Sequence, residues 1–144
     1  MVVIVVHPWH SNIARALLQA PKVYFSDTGL VKGDAGVRFE NAVAVMLSKQ
    51  AHWLGDTQGS ITGLHYIRTK DGAEVDFCLS AEGAISHLVE CKLSDTTPHR
   101  ALLRFKAQFA DAEAVQLVRD ARLLERRGPI TVAPAAAWLA ELAV

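Results

Sequence analysis

Residues Ala73–Ser94 read A-E-V-D-F-C-L-S-A-E-G-A-I-S-H-L-V-E-C-K-L-S. Apolar positions alternate on both sides of a break, which predicts two short strands rather than a helix. In the first strand Val75, Phe77 and Leu79 share one face, and Glu74, Asp76 and Cys78 share the other. In the second, Val89, Cys91 and Leu93 face one way while Leu88, Glu90 and Lys92 face the other. The faces built from Val, Phe, Leu and Cys call for a core, so each strand sends an acid to the opposite side. A three-residue loop, Ala81-Glu82-Gly83 with Gly83 in the left-handed region, is the predicted turn. An odd loop keeps Asp76 on the side of Glu90 and Lys92, because a slip of one residue would flip every side chain. That register sets Asp76 opposite Leu88 and diagonal to Glu90.

Two carboxylates brought together repel, and one rises in pKa unless a cation sits between them. A hard divalent ion such as Mg2+ or Mn2+ suits the gap, since it prefers carboxylate oxygens and keeps several waters. It lowers the pKa of a bound water and clamps a phosphate oxygen, and a nearby ammonium steadies the charge that builds up there. An Asp followed on the next strand by Glu-x-Lys is thus suited to cutting phosphodiesters. An exposed sheet face with an ordinary Asp/Glu/Lys set is the alternative.

Four stretches carry a resemblance: P-K-V-Y-F-S-D-T-G-L (Pro21–Leu30), R-F-E-N-A-V (Arg38–Val43), Y-I-R-T-K-D-G-A-E-V-D-F (Tyr66–Phe77) and V-E-C-K-L-S (Val89–Ser94). In this order they resemble the PD-(D/E)XK nuclease superfamily, and more closely the domain of unknown function that follows AAA-type ATPase modules in bacteria and archaea. The resemblance implies a restriction-endonuclease-like fold with Asp76, Glu90 and Lys92 as the core site. It also implies Glu40 as an added acid, Mg2+ or Mn2+ as the cofactor, DNA as the substrate and an AAA-type ATPase as a partner in trans. The alternative it leaves is a non-catalytic DNA-binding or ATPase-docking module with the same fold. No G-x-x-x-x-G-K-[ST] occurs in the chain, so ATP binding is not expected.

The 144 residues, 51% of them apolar, suffice for one domain spanning 1–144 with a real core. Lys+Arg and Asp+Glu are both 15, so the formal charge is zero. This argues against a protein that coats nucleic acid without specificity, whose affinity would come from neutralised phosphates. Cys78 and Cys91 fall on opposite faces of the proposed hairpin, so no disulfide is expected and the thiols fit a reducing cytoplasm. The opening M-V-V-I-V-V has no basic leader and is too short for a signal peptide, and no segment is long enough to span a bilayer. A soluble, cytoplasmic protein is expected.

Along the chain, a first strand ends before His7-Pro8-Trp9-His10, and Ser11 or Asn12 caps a short helix to about Gln19. His7 and His10 lack a third ligand and are read as surface groups. Val23–Phe25 is extended, and Asp27-Thr28-Gly29 turns the chain. Asp34 caps a helix to about Gln50 whose stripe is Val37, Asn41, Val43, Ala44, Met46 and Leu47. Glu40 lies on that side and needs a partner, either the ion or an arginine such as Arg68. His52–Gly63 reads as a loop, with Trp53 closing a core at the helix end. Leu64–Thr69 opens an antiparallel meander through a turn at Lys70-Asp71-Gly72. Beyond the hairpin, Thr96 or Thr97 caps a helix with Pro98 in its first position, its buried stripe being Leu102, Phe105 and Phe109. Arg68 at its strand end and Arg100, Arg104 and Lys106 on this helix are the candidate phosphate contacts. Ala114–Val118 is an interior strand parallel to the meander's last, Arg119–Arg127 turns, Ile130–Val132 is extended, and Ala135–Leu142 is a last helix. The predicted class is α/β: a mixed sheet, antiparallel meander plus a parallel strand, flanked by helices on both faces.

Overall fold

Central strands that carry apolar residues at nearly every position must be covered on both sides, and here they are. The computed structural model describes residues 2–10, 19–58 and 62–142. In chain order they form β1 (Val3–Pro8), β2 (Lys22–Phe25), a 3-10 turn (Thr28–Leu30), α1 (Ala35–Gln58), β3 (Thr62–Arg68), β4 (Glu74–Ala81) and β5 (Ala84–Lys92). Then come α2 (Arg100–Gln108), β6 (Glu113–Val118), β7 (Glu125–Arg127), β8 (Ile130–Pro134) and α3 (Ala135–Leu142). The strands make one eight-stranded mixed sheet in the order β2-β1-β3-β4-β5-β6-β8-β7. β3, β4 and β5 form the antiparallel meander, and β5, β6 and β8 run parallel. The fold class is therefore the mixed α/β architecture predicted. The helix expected over Ser11–Gln19 falls largely outside the described residues. No described helix is long and apolar enough to cross a membrane.

α1 and α3 cover one face, over a core that includes Leu47, Tyr66, Phe77, Val89, Leu117 and Trp138. α2 covers the other, over Cys78, Leu88, Leu102, Phe105, Val118 and Val132. Each fully buried leucine here contributes about 2 kcal/mol by leaving water.

Several local expectations are corrected. The β4–β5 turn has two residues, not three: Ala81 pairs with Ala84, and Glu82 and Gly83 both have positive φ, 54° and 82°. Such a primed turn matches the strand twist. An even loop would put Asp76 on the wrong side, but β5 carries one extra residue at Ser86, between the pairs Leu79–His87 and Ser80–Ile85. The Ser86 hydroxyl donates to the Leu79 carbonyl at 3.1 Å, satisfying the ladder there. Parity is restored with a shift of two, so the ladder closes at Phe77–Val89 and Asp76 comes level with Glu90 rather than with Leu88.

A second irregularity splits Val75 from Phe77. Between Cys78 and Val75, β4 advances three residues while β3 advances two, from His65 to Ile67. Val75 and Cys78 therefore pack on the α2 side, and Phe77 and Leu79 on the α1 side. Cys78 is fully buried among the apolar residues of the α2-side core. Cys78 and Cys91 are free thiols.

The first strand runs through His7 and Pro8, which pair with His65 and Tyr66. α1 extends through Gln58, eight residues beyond the expected end. Gly55 inside it costs about 1 kcal/mol, too little to stop a helix held by tertiary packing. Trp53 thus lies within the helix, 48% exposed, where a core position was expected. Val37 and Met46 are exposed too, so the buried stripe is Asn41, Val43, Ala44 and Leu47. α2 begins at Arg100, two residues after Pro98, with His99 at its N-cap. Arg126 and Arg127 belong to edge strand β7, not to a turn.

Candidate active site

The site begins with how α1 docks. Asp34 caps the helix, its Oδ1 accepting from the Val37 amide at 2.9 Å. Two turns on, the buried Asn41 accepts from the Phe25 amide and donates to the Phe25 carbonyl, both at 2.9 Å. Its carboxamide thus does what a neighbouring strand would do for β2. This fixes the neighbouring pair: the Tyr24 hydroxyl donates to Glu40 Oε2 at 2.7 Å. Tyr24 packs its ring 5.5 Å from that of Phe77, which anchors the phenol in the α1-side core.

Beyond Phe77–Val89 the backbone ladder between β4 and β5 gives way to side chains. The Asp76 amide donates to Glu90 Oε1 at 3.1 Å, and the Cys91 amide donates to Asp76 Oδ2 at 2.9 Å. The two carboxylates stand in for the missing carbonyls, which places them side by side at the point where the strands part. Alternation puts Glu90 and Lys92 on the α2 side with Leu88, and Cys91 on the α1 side. Lys92 Nζ lies 3.6 Å and His99 Nε2 3.4 Å from Glu90 Oε2. Asp76 is the middle member, with Glu40 reaching it from one face of the sheet and Glu90 from the other.

Electrostatics follow from this crowding. Burial, then the Glu90 charge, pushes Asp76 up to about 7, against the pull of the Cys91 amide. Burial and the Asp76 charge raise Glu40, opposed by the Tyr24 hydrogen bond and by Lys22. Burial raises Glu90 as well, opposed by the Asp76 amide and Lys92. Tyr24 is also raised, first by burial and then by Glu40, so it stays a neutral donor. Burial and the Lys92 charge lower His99. Three acids that each resist ionisation are short of positive charge.

All three acids line a cleft of ≈ 630 Å³, together with Tyr24, Cys91, Lys22, Lys32 and Lys92. Glu40, Asp76, Glu90 and Lys92, the four residues expected at the site, therefore meet in one place. Among the described residues no group of three or more His, Cys, Asp or Glu side chains stands ready to hold a metal ion. Asp76 and Glu90 each spend an oxygen on a backbone amide, and Glu40 is engaged by Tyr24. What the donor set suits is a hard cation held by one or two carboxylates and otherwise by water, the usual habit of Mg2+.

The expected phosphate contacts are scattered. Arg68 donates to Glu74 through Nε and Nη2 at 2.9 and 2.8 Å, so it is not the partner of Glu40. Lys22 also pairs with Glu74, and both cations sit over the Tyr66 ring, Lys22 at 4.9 Å and Arg68 at 5.5 Å. Arg104 pairs with Asp71 at 3.1 Å. Lys106 donates to the carbonyls of Ala110 and Ala112, closing the end of α2. Arg100 is exposed at the start of α2.

Tyr24, Asn41 and His99 were not anticipated. Tyr24 and Asn41 sit within stretches that carry the resemblance, but their roles depend on β2 and α1 meeting in space. His99 follows Pro98, where a helix start was legible and a contact to Glu90 was not.

No curated protein matches the chain, and no solved structure does either. A family model described as "Domain of unknown function (DUF4143)" matches residues 35–138. That span takes in Glu40, Asp76, Glu90, Lys92 and His99, and leaves Tyr24 before it. With well over half of its length matched, the chain belongs to this family.

Proposed function

We propose that the chain is a nuclease-like domain of the PD-(D/E)XK type that cuts DNA phosphodiester bonds with Mg2+ or Mn2+. The observation that carries this reading is the pairing of Asp76 with Glu90 across the parted strands, with Lys92 near Glu90 and lining the same cleft. Asp76 and Glu90 would hold the ion, and Glu40 would complete its shell or orient a water. The ion, when bound, supplies a water of lowered pKa and draws charge from a phosphate oxygen. Lys92, tethered beside the acids, steadies the charge that develops on that oxygen. Tyr24 keeps Glu40 turned toward Asp76. Arg100, exposed at the start of α2, is the phosphate contact this reading favours. Arg68, Arg104 and Lys106 reach one only by giving up the bonds described above.

Cleavage of a mixed DNA substrate with Mg2+ or Mn2+ tests the reading. Asp76→Ala and Lys92→Ala are each expected to lower the rate by about 100-fold or more. Equal activity in the wild type and both variants, or none in any, removes the catalytic claim. A second reading, a silent DNA-binding or ATPase-docking module, draws support from the zero formal charge and from acids already engaged by amides. It predicts unchanged partner affinity in Asp76→Ala and no uptake of Mn2+.

A further inference from the structure

Gln116 is fully buried on β6, level with Glu90 in the parallel register. A buried carboxamide brings two donors and an acceptor, and leaving them unpaired would be costly. Here all are engaged by one loop. Gln116 Oε1 accepts from the His99 amide at 2.9 Å, and Nε2 donates to the carbonyls of Asp95 and Thr97 at 3.1 and 2.9 Å. The His99 amide opens α2, and no capping side chain of its own helix serves there. The loop is held from the other side as well, since the Asp120 amide donates to the Leu93 carbonyl at 2.9 Å.

The consequence is the placement of His99. Its Nε2 faces Glu90 Oε2 at 3.4 Å, and Lys92 Nζ lies 3.6 Å from the same oxygen. The clamp from β6 fixes the His99 backbone, and the ring is then met by Glu90 and by the backbone of Glu74. We infer that Gln116 is a positioning residue: by tying down the Asp95–His99 loop it presses His99 against Glu90 and so sets the direction of that carboxylate. The value of that direction for ion binding rests on the function proposed above, whereas the clamp itself does not. Groups that orient a liganding carboxylate from behind commonly change metal affinity by 10-fold or more.

The experiment uses the intact chain and the variants Gln116→Leu, His99→Ala, their double, and Glu90→Gln. First, the imidazole nitrogen signals of His99 are recorded by NMR without metal at one fixed pH. Glu90→Gln shows which signal reports the Glu90 contact, and Gln116→Leu is expected to move the same signal. Second, Mn2+ affinity is measured by electron paramagnetic resonance. Gln116→Leu and His99→Ala are each expected to bind about 10-fold more weakly, and their double no more weakly than either, because both break one chain of contacts. An unmoved His99 signal in Gln116→Leu, or losses that multiply in the double, overturns the inference. Should the wild type take up no Mn2+, the metal reading falls and the imidazole signal decides the clamp alone. If Gln116→Leu does not fold, as judged by its melt, Gln116→Met, with an unbranched stem close in volume, takes its place.

Discussion

The charge on Asp76 is the most consequential single-residue property of the molecule. In the unfolded chain this group ionises near 3.8, and in the fold near about 7. Its stabilising contribution is therefore whole below pH 4 and is lost as pH rises through 7, because the unfolded chain releases the proton first. Without metal, the melting temperature is expected to fall between pH 4 and pH 7.5, with up to about 4 kcal/mol at stake from this group. Asp76→Asn is expected to remove most of that slope. A melt series in which the two proteins run parallel would show that Asp76 is ordinary. Tyr24→Phe tests the neighbouring contact: it keeps the ring against Phe77 and deletes the hydroxyl on Glu40. A loss of about 1.5–3 kcal/mol is expected in denaturant unfolding, as for a hydrogen bond to a charged group.

The β4–β5 hairpin shows how elements deliver residues to a site. Glu82 takes φ 54° with an ordinary side chain, and Gly83 takes φ 82° with open space around its Cα. Glu82→Asn is expected to stabilise by a few tenths of a kcal/mol, since Asn tolerates the left-handed region better. Gly83→Ala is expected to cost about 1 kcal/mol from backbone strain alone. Urea unfolding of the two variants checks both signs. The bulge at Ser86 was invisible in the alternation, because an extra residue looks like a longer turn. A three-residue loop and a two-residue loop with one bulge keep the same parity, so the hairpin sets Asp76 beside Glu90 by either route. The pairing partner itself depended on the bulge.

At the scale of the molecule, the charge is balanced and several cations near the cleft and on α2 are bound to acids or carbonyls. Lys22, Arg68, Arg104 and Lys106 all have internal partners. If the cleft cations Lys32 and Lys92 and the α2 cation Arg100 meet phosphates, duplex affinity is expected to fall with salt at a log–log slope of about −2 to −3. A titration from 50 to 200 mM salt measures it, and a much steeper slope would mean that the internal pairs open on binding. Packing, by contrast, runs through both faces of the sheet. Leu102→Ala, at the centre of the α2 contact, is expected to cost about 3–5 kcal/mol, read from denaturant unfolding.

By itself the sequence determined the strands of the meander, the last helix over Ala135–Leu142, the parallel strand after α2 and the identity of the four polar residues that share the cleft. The strands and the helix follow from local periodicity, and Asp76, Glu90 and Lys92 from their spacing, whereas Glu40 is named as a site acid by the family resemblance. The extent of α1, the exposure of Trp53 and the split of Val75 from Phe77 were decided by packing, because a helix end or a bulge is settled by what it meets. Tertiary structure alone brought Tyr24 to Glu40, Asn41 to Phe25 and His99 to Glu90. Each of these contacts joins segments whose separation in the chain says nothing about distance in space.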